Sequence, residues 1–225
     1  MPVNTKTYHE LVVELKSKNV ALVAVSKTKS VEDIKELYHL GQRDFGENYI
    51  QELLEKAAQL PKNIRWHFIG HLQRNKVKNI IPFVHLIQTV DSLRLLKEIN
   101  KQAEKNNSLV DCLLQVHIAK EETKFAFDMD ELQELLITNS STLGTFKNVS
   151  IKGMMGLATL TDDMNLVRSE FRQLKSLFNT ISSQNPFVNN KFSIVSFGMT
   201  ADFEVAIEEG SNMVRIGSLI FGERD

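Results

Sequence analysis

Val20-Ala21-Leu22-Val23-Ala24-Val25-Ser26 is an apolar run that ends in Lys27-Thr28-Lys29 and gives way, from Ser30 to Leu40, to a segment with helical spacing. The run has the length of a strand buried on both faces. Ser30 with Asp33 has the form of a capping box, and Gly41 supplies the stop that a helix end favours. A second strand, Arg43 to Gly46, follows at once. Strand, helix, strand in this order is the unit of a mainly parallel sheet.

The same alternation extends in both directions. A helix over Thr5 to Lys18 precedes the first strand. Beyond the second strand, a helix from Tyr49 to Leu60 ends at Pro61, whose ring lacks an N–H. Strands are predicted at Arg65 to Ile69, Val84 to Gln88, Asp111 to Ile118, Ser150 to Met155, Phe192 to Ser196 and Met213 to Ile216. Helices fill the gaps at Leu72 to Ile81, Asp91 to Lys105, Asp130 to Ile137, Asp162 to Ser182 and Ala201 to Glu209, with Asp91 expected as a cap. The eighth strand is followed by a short helical end. Eight βα units in 225 residues suit a single (β/α)8 TIM-type barrel with an extra N-terminal helix, a fold that typically needs ~250 residues. A doubly wound open sheet is the alternative.

Composition narrows the function classes. The 27 Lys+Arg and 28 Asp+Glu leave a net charge of -1, without the basic excess that draws a protein to nucleic acid or to a membrane surface. The hydrophobic share of 42% and charged share of 24% are those of a globular protein, and the four prolines and ten glycines are scattered rather than gathered into a linker. One domain over residues 1–225 is expected. Cys112 is the one cysteine, which rules out an internal disulfide or a thiolate cluster, and it reads as an inert apolar residue in a strand. No leader pattern and no run of ~18 apolar residues occurs, so a cytoplasmic location is expected.

In a barrel of this type, chemistry sits at the carboxyl ends of the strands. Lys27 terminates the first strand and shares its alternation with Ala21, Val23 and Val25. A lysine held there is desolvated toward a nucleophilic free amine, which is what Schiff-base formation requires. The position equally suits an ordinary loop lysine. After the seventh and eighth strands come Ser196-Phe197-Gly198-Met199-Thr200 and Arg215-Ile216-Gly217-Ser218. Glycines that admit an anion to the backbone, hydroxyls and helix starts are the materials of a phosphate cradle, though caps and turns use them too. Arg215 brings a permanent charge that needs a partner: a phosphate, a ring nitrogen, or a carboxylate such as Glu47. Asn48 is either a pocket residue or a helix cap, and His67 either a ligand or a hydrogen-bonded core histidine. Zinc on His67 and His71 is disfavoured because the pair spans a strand end and Gly70. Met154, Met155, Met199 and Met213 read as core. The Walker, dinucleotide and nucleophile-elbow motifs do not occur.

Ala24-Val25-Ser26-Lys27-Thr28-Lys29, Phe45-Gly46-Glu47-Asn48-Tyr49, Trp66 through Lys76, Phe197-Gly198-Met199-Thr200-Ala201-Asp202 and Met213 through Gly217 with Phe221-Gly222 occur in one order along almost the whole chain. In these segments the chain resembles the pyridoxal 5′-phosphate homeostasis proteins, relatives of the alanine racemase barrel domain. The resemblance implies that Lys27 carries pyridoxal 5′-phosphate as a Schiff base. It also implies a phosphate cradle of Ser196, Gly198, Met199, Thr200, Gly217 and Ser218, with Arg215 facing the pyridine nitrogen and Asn48 and His67 lining the pocket. No metal is implied. The expected function is to buffer or deliver the cofactor, possible recipients being apo-enzymes that depend on it, from a monomer or weak dimer. A racemase acting on amino acids is the alternative, and a Schiff-base lyase a more distant one. Against catalysis, arginine opposite the pyridine nitrogen disfavours its protonation and weakens the ring as an electron sink. The chain departs from the family pattern at Ser30, where proline is common, at Thr200, where serine is, and at Phe125, where glycine usually follows a lysine.

Overall fold

Residue alternation decides which side chains enter the barrel. A computed structural model of the protein describes residues 3–120, 125–137, 144–184 and 192–223. Its strands are β1 (Ala21–Val25), β2 (Asp44–Glu47), β3 (Arg65–Phe68), β4 (Val84–Val90), β5 (Val110–His117), β6 (Val149–Leu157), β7 (Ile194–Ser196) and β8 (Met213–Ile216). All neighbouring pairs are parallel, and β8 returns to β1 with Val23 opposite Arg215, so the sheet closes into a barrel in sequence order. Closure removes the open doubly wound sheet as an alternative.

Among the described residues the helices are α1 (Thr5–Ser17), α2 (Val31–His39), α3 (Ile50–Gln59), α4 (Val77–Ile80), α5 (Leu93–Lys105), α6 (Met129–Ile137), α7 (Met164–Gln184), α8 (Phe203–Glu208) and α9 (Ser218–Phe221). The Ser30–Asp33 box forms with both of its hydrogen bonds, and Gly41 follows α2 with φ +103°. α3 stops where Leu60 turns extended, as the residue before a proline must.

Two expectations change. The predicted helix from Leu72 is a 3-10 turn at Arg74–Lys76 followed by the single turn of α4, because Gln73 is extended and the helical turns start only after it. Ser92, not Asp91, caps α5: its hydroxyl accepts from the Leu95 N–H, while Asp91 is committed to His71 at 3.2 Å. The charged loop at 121–124 lies outside the described residues.

Outward-facing strand residues such as Leu22, Ala24, Phe45, Phe68 and Val214 pack against the helices in one large apolar layer. Val23, Leu86, Leu113, Met155 and Met213 form a separate, smaller cluster inside the barrel. That inner core shares its space with buried His67, Gln88, Ser196 and Arg215, so the barrel interior is half polar. Cys112 is fully buried in the outer layer, and burial pushes its thiol well up from the ordinary value.

Candidate functional site

The inward alternation of β1 carries Val23 into the core, Val25 to the barrel mouth and Lys27 to the rim above it. There a cavity of about 260 Å³ opens, bounded by Val25, Lys27 and Lys29 after β1, Asn48 after β2 and Ile69 after β3. Its opposite wall is Leu157 from β6, Met199 and Thr200 after β7, and Arg215, Gly217, Ser218 and Gly222 from β8 onward. The volume is just below the usual ~300–1,000 Å³ of small-molecule pockets, which suits a ligand of one ring rather than a dinucleotide. A wider groove of about 740 Å³ lies elsewhere, between His71, Arg74, Asp91 and Arg94. The smaller cavity is the better candidate because strand-end lysine and buried arginine meet in its wall.

The turn bearing Lys27 is held from outside the barrel. Ser26 Oγ donates to Glu47 Oε1 at 2.6 Å, and Lys56 Nζ on α3 donates to the same oxygen at 2.8 Å and to the Ser26 carbonyl at 2.7 Å. Lys56 also reaches Glu52 at 2.6 Å, whose carboxylate accepts the Thr28 N–H at 2.5 Å. Thr28 is left-handed at φ +66°, a conformation that costs a residue with a branched Cβ. Burial pushes the Glu47 carboxyl up, and Lys56 and Ser26 oppose this. Both donors aim at Oε1, while Oε2 is buried with no hydrogen-bond partner among the described residues.

Arg215 is 3% exposed. One terminal nitrogen donates to the Ser196 carbonyl at 2.9 Å and to Ser196 Oγ at 2.6 Å, and the other to the Gly156 carbonyl at 3.0 Å. Its carboxylate neighbour is Asp202 rather than Glu47, which is taken by Lys56. Burial brings the Arg215 guanidinium down to about 10, with Asp202 opposing, so it stays a cation at neutral pH. A buried cation with no direct ion pair among the described residues favours an acceptor arriving from the cavity.

The loops after β7 and β8 interlock. Gly217 N–H donates to Thr200 Oγ1 at 3.4 Å, Met199 N–H to Asp202 at 2.6 Å, and Arg215 N–H to the Gly198 carbonyl at 3.0 Å. Gly198 has φ +95°, and a Cβ there would lie 2.5 Å from that of Ala206. A Cβ on Gly217 would come within 3.1 Å of the Val25 carbonyl. Gly198 is required by its left-handed backbone and by the packing of α8 behind it, and Gly217 lets its loop run close against the β1 backbone.

Of the residues singled out in the sequence, Lys27, Asn48, Met199, Thr200, Arg215, Gly217 and Ser218 meet around the cavity. Ser196, Gly198 and His67 are not in its wall. Ser196 lies beneath it, its hydroxyl spent between Arg215 and Gln88. Gly198 is the turn behind it. His67 is deeper in the barrel, with Nε2 3.0 Å from Asp44 and Nδ1 3.0 Å from Gln88, the hydrogen-bonded core arrangement. Asn48 does not cap α3, whose cap position is Tyr49, and Asn48 Oδ1 is buried without a partner among the described residues. Met199 departs from the other three methionines, being 39% exposed at the rim. Phe125 is exposed and its ring lies 3.8 Å from that of His71.

Val25, Lys29, Ile69, Leu157 and Gly222 complete the wall without having been singled out. Val25 and Ile69 sit at strand ends two residues from known inward positions, so alternation was the available signal. Gln88, Glu52 and Lys56 also escaped notice, and Glu47, weighed as a partner for Arg215, pairs with Lys56 instead. A glutamine in phase with inward Leu86 marks Gln88, and the i,i+4 spacing of Glu52 and Lys56 marks their pairing, but nothing in spacing ties that pair to Glu47 or to the Lys27 turn.

The fold and this strand-end cavity define a barrel of the alanine racemase N-terminal class, whose family model, "Alanine racemase, N-terminal domain", matches residues 5–225. The chain belongs, within that class, to the pyridoxal phosphate homeostasis protein family. It is 41% identical to the Pyridoxal phosphate homeostasis protein of Aquifex aeolicus (strain VF5) over 204 residues, 90% of this chain and 86% of that protein. Over 209 residues it is 37% identical to the protein of the same name from Pasteurella multocida (strain Pm70), covering 92% and 87%. It superposes on PipY of Synechococcus elongatus PCC7942, solved with PLP bound, with a TM-score of 0.82 and 30% identity, covering 95% of this chain and 99% of that one.

Proposed function

We propose that this protein binds pyridoxal 5′-phosphate through Lys27 and serves in its homeostasis, buffering the cofactor or delivering it to apo-enzymes that depend on it. The observation that carries the reading is the meeting of Lys27, Arg215, Thr200 and Ser218 in one cavity of single-ring size. Its residues fit the group in kind: an amine for the aldehyde, hydroxyls and closely approached backbone for the phosphate, a guanidinium for the ring. Asn48 Oδ1, partnerless among the described residues, is a further acceptor awaiting a donor. The relatives' names and the PLP-bound PipY support the same cofactor.

When bound, the cofactor supplies an aldehyde that condenses with an amine and a ring that accepts electron density. The chain's residues hold and orient it. Glu47, Lys56 and Glu52 fix the turn from which Lys27 projects, and Gly217 and Gly198 let the β7 and β8 loops close on an anion. Arg215 presents charge that is already protonated and so offers a hydrogen bond without donating a proton to the ring. That favours holding over turnover. Tyr49, the tyrosine nearest a strand end, is 60% exposed and outside the cavity wall. Residues 1–225 act as one binding domain in this reading, a cytoplasmic monomer or weak dimer.

The test is borohydride reduction of the protein mixed with pyridoxal 5′-phosphate, followed by peptide mass mapping. A pyridoxyl group on Lys27, absent in Lys27→Ala, is expected. Its absence from Lys27 in the unmodified protein would overturn the reading and favour a lyase that condenses Lys27 directly with its substrate.

A further inference from the structure

Below Arg215 a file of buried polar side chains crosses the barrel interior from the mouth to the opposite rim. Arg215 donates to Ser196 Oγ at 2.6 Å, and Ser196 Oγ donates to Gln88 Oε1 at 2.7 Å. Gln88 Nε2 is 3.0 Å from His67 Nδ1, and His67 Nε2 is 3.0 Å from Asp44 Oδ1. Asp44 is also gripped by Arg65, whose Nε lies 2.7 Å from Oδ1 and whose terminal nitrogen meets Oδ2. Gln88 and Ser196 are fully buried, and His67 is 1% exposed.

The direction of every bond in this file is determined by its two ends. Asp44, facing a guanidinium, is a carboxylate and can only accept, so His67 must carry its proton on Nε2. A neutral His67 then offers a lone pair at Nδ1, which requires the nitrogen of the Gln88 amide to face it. The amide oxygen is left facing Ser196, whose hydroxyl donates to it and keeps its lone pairs for Arg215. A second proton on His67 would turn the amide over, taking the Gln88 oxygen away from the Ser196 hydrogen and Gln88 Nε2 away from Met213 Sδ, 3.3 Å from it. The same proton on Nε2 argues against a cation at Asp44, His67 and His85, whose ligating atoms lie within 4.8 Å of one another. A metal would need the lone pair that the file removes, and would displace Arg65.

We propose that Asp44, His67 and Gln88 are positioning residues for Arg215, fixing through Ser196 which of its N–H groups are committed below the cavity and which remain for a ligand above. Ser196 and Gly156 take three of those hydrogens, leaving Nε–H and one terminal N–H uncommitted among the described residues. A guanidinium anchored this way cannot swing toward Asp202 when the cavity empties. The orienting group is thus built before the ligand arrives, and its cost is met in folding. The inference rests on the pyridoxal phosphate reading for its ligand, but the file itself belongs to the protein alone.

The experiment has two arms. Long-range 15N–1H NMR of the ligand-free protein reads the His67 tautomer: Nε2–H is expected, and Gln88→Glu should add a proton at Nδ1. An Nδ1–H tautomer in the unmodified protein would overturn the proposal. In the second arm, pyridoxal 5′-phosphate affinity and the absorption maximum are measured for Gln88→Leu, Gln88→Glu and Ser196→Ala, each confirmed folded by its melting transition. A loss of about tenfold in affinity, ~1.4 kcal/mol, with a moved absorption maximum and the adduct still on Lys27, is expected. Native affinity and spectrum in the folded variants would overturn it. If the unmodified protein forms no Lys27 adduct, the functional reading fails instead, and the tautomer decides the file.

Discussion

Lys56 Nζ stands 2.8 Å from Glu47 Oε1 with side-chain exposures of 6% and 0%, a buried ion pair on the outer side of the strand that leads to the cavity. Removing one partner strands the other charge away from water. Lys56→Met is expected to cost about 3–5 kcal/mol, read as a shift in the urea midpoint. The double variant Lys56→Met with Glu47→Gln should lose less than Lys56→Met alone. If the losses add, the pair is not coupled.

Because Glu52 links Lys56 to the Thr28 N–H, the conservative Glu52→Gln should loosen the Lys27 turn while leaving the core intact. A several-fold slower formation of the Lys27 adduct is expected, with a melting temperature within a few degrees of native. Unchanged adduct kinetics would show that the turn is held by other means.

Burial opposes charge at Asp44, but hydrogen bonds from Arg65 and His67 outweigh it and hold the carboxyl well below the carboxylate range. A depressed acid stabilises the fold above its unfolded value of 3.8, and that contribution fades as pH falls below it toward the folded value. The stability gap between native protein and Asp44→Asn should be constant above about pH 5 and shrink below pH 4. Denaturant titrations from pH 2.5 to 7 measure it; a gap that widens on acidification contradicts the assignment.

Gly198→Ala combines a left-handed backbone with a Cβ placed 2.5 Å from that of Ala206. Strain and overpacking of this kind cost about 1–3 kcal/mol each. The variant is expected to melt several degrees lower and to bind pyridoxal 5′-phosphate more weakly, since the loop it distorts supplies Met199 and Thr200.

Cys112 should be silent to thiol reagents in the folded state and react once in denaturant, its thiol being fully buried and pushed up by desolvation.

The barrel was legible because the alternation of apolar runs and helical stretches is a local signal repeated eight times, with caps such as Ser30–Asp33 marking its joints. Much of the cavity was legible for the same reason, since Lys27, Arg215 and Gly217 sit where strands end. What escaped were relations across the barrel. His67 is adjacent in sequence to the rim motif, yet its strand places it a layer below, and only the pairing of β3 with β4 brings Gln88 to it. Met199 follows three buried methionines in type but lies on a turn that faces solvent. Leu72 begins no helix because Gln73 after it is extended, a choice of backbone that helical spacing alone did not reveal.

The closing strand has a consequence for how the cavity comes into being. Lys27 and Arg215 are nearly the length of the chain apart, and they become neighbours only when β8 seats beside β1 with Val23 opposite Arg215. Joining such distant segments carries a larger loop-closure cost than joining neighbouring strands. A chain still missing its last strand therefore has the lysine but no guanidinium or β8 loop to go with it. If the cofactor is held by Lys27 and Arg215 together, capture proofreads completion: only molecules whose barrel has shut have both.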